Sequence, residues 1–294
     1  PQMIGKEVAS TQKSMKETDW IKGHPMAKAA VEMALLDLEA KTQNKPLRSI
    51  IGGTKQKVEV GVSVGLQPND EELAKKVGDF IEKGYSRIKL KIKPGRDVRM
   101  VGNIRDLYPD TRIMVDANSA YTLQDMDILK ELDQFDLMMI EQPLAYDDYL
   151  DHSRLQQELQ TPICLDESIR SVRDAKLALE LGSCQIINIK PGRVGGIASS
   201  KAIHDICLEA NIPVWCGGML ESGIGRAHNV SLACLPGFVL PGDISESQRY
   251  WAEDIVDPEF TIKDGHVPVP TGTGIGVSVL EDRVKKLTVR SQQF

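Results

Sequence analysis

Apolar and polar residues alternate with a period of two along RIKLKIK (87–93), where Ile88, Leu90 and Ile92 share one face and Lys89, Lys91 and Lys93 the other. Seven more β-rich segments accompany it: VEVGVSVG (58–65), RIMVDAN (112–118), LMMIEQP (137–143), ICLDES (163–168), IINIKPG (186–192), IPVWCGG (212–218) and the weaker FVLPGD (238–243). Marked at Val64, Lys91, Asp116, Glu141, Asp166, Lys190, Cys216 and Pro241, they return every 24 to 27 residues. Helical patterns lie between them. NDEELAKKVGDFIEKG (69–84) starts acidic and ends on glycine, and SVRDAKLALELG (171–182) has a serine cap and a terminal glycine. Strand, helix, strand at this spacing calls for parallel pairing. Eight such units predict an α/β fold, a (β/α)8 TIM-type barrel over residues 56–248. An open doubly wound sheet would carry a phosphate loop after its first strand, and none follows Val64.

In a parallel barrel one strand face packs on the helices and the other points inward. Ile88, Leu90 and Ile92 suit the helix layer, so Lys89 and Lys91 point inward and require partners. The third, fourth and fifth segments each end in a carboxylate followed by a break: VDANS, IEQPL and LDESI. Any one of these acids alone reads equally well as a helix cap. Standing 25 residues apart, Asp116, Glu141 and Asp166 occupy equivalent places on adjacent strands and converge at the C-terminal rim. Three carboxylates repel one another unless a cation sits between them. Mg²⁺ fits best and Mn²⁺ also fits, whereas zinc would favour His or Cys.

Lys190 ends the sixth strand, four places round the ring from Lys91, so the two amines face each other across the mouth. A substrate carboxylate held by the metal would place its α-carbon between them, one amine for each face. To act as a base a lysine must be neutral, and its ordinary pKa of ~10.4 falls beside another cation and on desolvation. Lys89 is placed to do this for Lys91, and Arg193 or the metal for Lys190.

The 294 residues suit a barrel with an attachment. With 36 Lys plus Arg against 42 Asp plus Glu, the net charge of -6 leaves no electrostatic footprint for nucleic acid or an anionic membrane. No segment approaches the ~20 apolar residues that cross a bilayer. The expected partner is a small-molecule carboxylate. Five scattered cysteines, none in a CxxC pair, suggest neither a disulfide framework nor structural zinc, and a cytoplasmic location is expected. GTGIGV (272–277) follows no βαβ start, and the five histidines show no metal-ligand spacing.

The stretches RIKLKIKPGRD, VDANSAYT, MIEQPLAYDD, TPICLDESI, QIINIKPGRVGG and IPVWCGGMLESGIGRAHN, with MAKAAVEMALLDLEAK near the start, resemble the enolase superfamily. The resemblance is to its muconate-lactonising branch, within it to the o-succinylbenzoate synthase / N-acylamino acid racemase group. It implies Lys91 as base on one face with Lys89 assisting, Lys190 on the other face, and Asp116, Glu141 and Asp166 as Mg²⁺ ligands. It also implies an acyl pocket of Ser63, Gly218, Met219 and Leu220, with Asn118 and Glu167 behind the reacting groups. Ser63 reads as well as a core hydroxyl, Gly218 as a turn glycine and Glu167 as a helix-start acid. The implied activity is abstraction of the proton α to a carboxylate through an enediolate, as synthase in the menaquinone pathway, as racemase, or as both. Dipeptide epimerase and muconate cycloisomerase are the alternatives, against which GGMLES argues. A non-catalytic ligand-binding barrel is the alternative outside enzymes. The family adds an N-terminal α+β cap domain and homo-oligomeric assembly. Residues 1–55 are expected to supply the cap's helical part without its sheet, since no sheet-forming segment precedes those helices, and 249–294 to return beside it.

Overall fold

The computed structural model describes residues 10–292. Helices α1 (Thr11–Lys16), α2 (Pro25–Thr42) and α3 (Leu47–Ile51) come first, then strands β1 (Lys57–Glu59) and β2 (Val62–Val64). Alternation sets in with α4 (Asp70–Glu82), β3 (Ile88–Lys91), α5 (Val98–Leu107), β4 (Ile113–Asp116), α6 (Met126–Glu131) and β5 (Ile140–Glu141). It continues with α7 (Tyr149–Glu158), β6 (Ile163–Leu165), α8 (Val172–Leu181), β7 (Ile186–Ile189), α9 (Pro191–Val194), α10 (Ile197–Glu209), β8 (Val214–Cys216) and α11 (Gly223–Leu232). Beyond lie β9 (Val256–Asp257), β10 (His266–Pro268), β11 (Ser278–Val279) and α12 (Glu281–Leu287).

Helix limits follow local chemistry. The Asn69 side chain accepts from the Glu72 amide at 2.8 Å, and Asp70, Glu71 and Glu72 face the positive end of the α4 dipole. Ser171 caps α8, and Gly182 ends it at φ 66, a conformation glycine adopts without a Cβ penalty.

Strands β2 to β8 form one parallel sheet in chain order, with Lys91 opposite Asp116 and Asp116 opposite Glu141. Two expectations need correction. The first predicted strand is split: β1 pairs antiparallel with β10, and only β2 joins the barrel sheet. The break falls at Gly61, where a Cβ would stand 2.5 Å from the Arg87 guanidinium carbon. The eighth segment is irregular. Pro241 has no N–H to donate to a ladder, and 237–243 closes the gap between β8 and β2 by single contacts instead. Asp243 N donates to Cys216 O (2.9 Å), and Gly61 N to Gly242 O (2.8 Å).

Alternation along each strand separates two cores. Ile88, Leu90, Ile113, Val115, Ile140, Ile163, Leu165, Ile187, Ile189 and Val214 pack on the helices. On the inward face Met114, Met139, Cys164, Ile186 and Trp215 form an apolar floor, with Lys89 over the Trp215 ring. All five cysteines are free and buried. The Glu32 carboxylate of α2 accepts the Ile197 and Ala198 amides, capping α10, while Asp37 accepts the Ile275 amide at 2.8 Å. These bonds tie the first helices and the chain's last part to the barrel. Among the described residues no helix is long and apolar enough to cross a membrane.

Candidate active site

Inward alternation on β3 and β4 places Lys91 and Asp116 side by side, their Nζ and Oδ2 2.5 Å apart. Lys91 also donates to Asn118 Oδ1, and Asn118 passes the contact on, donating from Nδ2 to Glu167 Oε1 at 2.9 Å. Lys89, one inward step lower, is buried at 4 % exposure. Its ammonium lies 2.8 Å from Glu141, 2.6 Å from Asp243 and 3.4 Å from Asp116. Burial alone would lower its pKa, but Asp243, Glu141 and Asp116 together hold it well above the ordinary lysine value.

On the far side Lys190 reaches Asp166 at 2.7 Å, and Arg193 grips the other oxygen of the same carboxylate. The lowered lysine pKa expected of this position is not what the structure gives. Burial lowers it, yet Asp166 and then Glu141 outweigh that and raise it. Arg193 does press it downward, but is itself paired with Asp166. For Asp166, burial pushes upward and the two cations, Lys190 and Arg193, pull its carboxyl below the usual range.

Glu141 stands between these pairs, wholly buried, accepting from Lys89 and, at 2.7 Å, from Asn188 Nδ2. Burial and then the neighbouring Asp116 charge push its carboxyl up to about 8. Asn188 Oδ1 beside it is buried without a partner.

These features bear on a metal. Three carboxylates with an under-compensated Glu141 and an orphaned amide oxygen are the donor chemistry a hard divalent cation takes. Among the described residues no three of His, Cys, Asp and Glu are grouped as a metal site, and Asp116 and Asp166 are paired with Lys91, Lys190 and Arg193.

Above the acids opens a cavity of about 180 Å³. Ser63, Lys89, Lys91, Asp116, Asn118, Lys190, Gly218 and Leu220 line it, joined by Asp243, Ser245 and Tyr250. At Gly218 a Cβ would come within 2.4 Å of the Asp243 carbonyl, so close backbone approach requires glycine there. Met219 lies outside the cavity, 41 % exposed, its amide donating to Glu221. Glu141, Asp166, Glu167 and Arg193 do not line the cavity.

Sequence reasoning passed over four residues. Asp243 is held by Lys89 and by Arg87, whose Nη1 lies 2.8 Å away. Burial would raise the Asp243 carboxyl, but these two cations keep it well below the usual range. Asn188 and Arg87 stood in the inward alternation of Lys190 and of Lys89, so the period that found the lysines reaches them too. Gln142 carried no such signal. Its side-chain oxygen accepts the Asp166 and Ser168 amides (2.9 and 3.2 Å) and fixes the turn after β6.

The chain matches the family description "Enolase C-terminal domain-like" over residues 72–283 and "Mandelate racemase / muconate lactonizing enzyme, N-terminal domain" over 1–52. It is 53% identical over 274 residues to an o-succinylbenzoate synthase of Geobacillus kaustophilus, 93% of this chain and 73% of that one. To an N-succinylamino acid racemase of Thermus thermophilus it is 48% identical over 289 residues, 98% of this chain and 78% of that one. A solved structure of an enolase-superfamily member from Listeria innocua superposes with a TM-score of 0.92 at 49% identity, covering 96% of this chain and 76% of that one.

Proposed function

The chain belongs to the enolase superfamily, in its mandelate racemase / muconate lactonizing enzyme branch, and from that premise we propose that it removes the proton α to a carboxylate, as o-succinylbenzoate synthase, N-succinylamino acid racemase, or both. One observation carries this: Lys91 and Lys190, from strands half a ring apart, line one cavity, each against an acid of the same cluster.

In this proposal the substrate lies across the mouth with its carboxylate toward Asp116, Glu141 and Asp166. Lys91 takes or returns a proton on one face of the α-carbon, and Lys190 does so on the other. For dehydration Lys91 alone moves the proton, taking it from the α-carbon and delivering it to the hydroxyl on the neighbouring carbon, whose C–O bond breaks so that water leaves, while Lys190 stays charged beside the enediolate. Asp116, Glu141 and Asp166 would hold Mg²⁺, or Mn²⁺, whose chemistry is to stabilise the negative charge that builds on the substrate carboxylate. Lys89, buried among three acids, keeps its charge and balances theirs. Asn118 orients Lys91, and Glu167 orients Asn118. A cytoplasmic setting and homo-oligomeric assembly belong to the same proposal.

The test is direct assay with Mg²⁺ for o-succinylbenzoate formation and for racemisation of an N-succinylamino acid. Turnover of either supports the proposal, and absence of both, with no α-deuterium exchange, overturns it.

A further inference from the structure

The cavity's two sides differ in kind. Acids and their cations occupy the arc from β3 to β7, whereas the opposite arc, from β2 round to the chain just beyond Asp243, adds the hydroxyl-bearing residues Ser63, Ser245 and Tyr250 to Asp243 itself. Ser245 is the unusual member. It lines the cavity, it is 3 % exposed, and its hydroxyl has no hydrogen-bond partner. A buried polar group left unpaired costs about 1–3 kcal/mol, and native structures seldom keep one without a use. The backbone here is fixed, since the buried Arg226 donates to the Ser245 carbonyl at 2.7 Å. Asp243, two residues before, turns both carboxylate oxygens to Arg87 and Lys89 and so leaves the hydroxyl unclaimed.

Resting on the orientation proposed above, with the reacting carboxylate over the acid arc, we infer that the Ser245 hydroxyl is a specificity-determining group that hydrogen-bonds an oxygen at the far end of the substrate. That oxygen belongs to the acyl group, its carbonyl or terminal carboxylate. No unpaired cation is needed for it, because hydroxyl donors of this arc recognise oxygen without demanding a full charge. Ser245 thus sorts acyl-bearing carboxylates from those of the same size that lack the oxygen.

Ser245→Ala and Ser245→Cys in the full chain test this, with thermal stability as the folding control. Removing an unpartnered hydroxyl leaves Tm unchanged or higher, whereas loss of a structural hydrogen bond lowers it. For an N-succinylamino acid the expected result is KM raised about three- to ten-fold in Ser245→Ala with kcat little altered, as for loss of one hydrogen bond. Affinity for o-succinylbenzoate, measured by calorimetry, falls by the same factor, while affinity for a benzoate carrying an alkyl chain in place of the succinyl group does not change. Equal KM and affinity in wild type and variant, a lowered Tm, or no binding of o-succinylbenzoate by the wild type would each overturn the inference. Binding that weakens in the variant, in a protein that exchanges no α-proton, supports the hydroxyl's role while removing the proposed reaction.

Discussion

The ammonium of Lys89 lies 2.6 Å from the Asp243 carboxylate, although one residue sits on the second barrel strand and the other at the end of the irregular segment that closes the ring. Arg87 completes the group from the same inward face, and both cations stand over the Trp215 ring at 5.0 to 5.2 Å. The pair is a seam as well as part of the site.

Asp243→Asn should therefore lower stability and activity together. Taking one partner from a buried charge group costs roughly 3–5 kcal/mol, and the low end is expected because Lys89 keeps Glu141. Urea unfolding checks the first effect and kcat/KM the second. Unchanged unfolding would show that 237–243 is held by its backbone bonds alone.

Gln142→Met keeps the volume and removes the acceptor shared by the Asp166 and Ser168 amides. Leaving buried N–H groups unpaired costs about 1–3 kcal/mol each. The site should suffer more than the fold, with kcat falling at least ten-fold by loosening of Asp166 while the protein still unfolds cooperatively. Full kcat with lowered stability would confine Gln142 to a structural role.

His152 supplies the pH dependence. Its Nε2 accepts the Leu144 amide at 3.2 Å and its Nδ1 donates to the Asp148 carbonyl, which fixes the neutral tautomer. Burial lowers its pKa from the ordinary value. A depressed folded pKa means stability that is present above about pH 6.5 and is lost as pH falls through the folded value. Stability should thus drop as pH falls below about 6.5, and in His152→Gln the drop should be smaller. Parallel curves for the two proteins would rule His152 out as a source of that dependence.

How far the sequence carries follows from what alternation records. Period two and the return every 24 to 27 residues placed Lys89, Lys91, Asp116, Glu141, Asp166 and Lys190 on the inward face, where the structure has them. Charge made those positions conspicuous. Asn188, on the same face, is neutral and drew no notice. Asp243 escaped for another reason: Pro241 and Gly242 break the ladder, so no period reaches it. The ion pairs also lay beyond reach, because pattern gives the face on which a lysine stands and not the acid that pairs with its ammonium. That is why Lys190 is raised where a lowered value was expected.

The account rests on two amines serving opposite faces of one carbon. Proton NMR of α-deuterium exchange from each enantiomer of an N-succinylamino acid, in Lys91→Ala and Lys190→Ala with Mg²⁺ present, tests it most directly. The expected result is loss of racemisation in both variants, with exchange surviving for one enantiomer in one and for the opposite enantiomer in the other. Full racemisation in either variant, or survival of the same enantiomer's exchange in both, would contradict it.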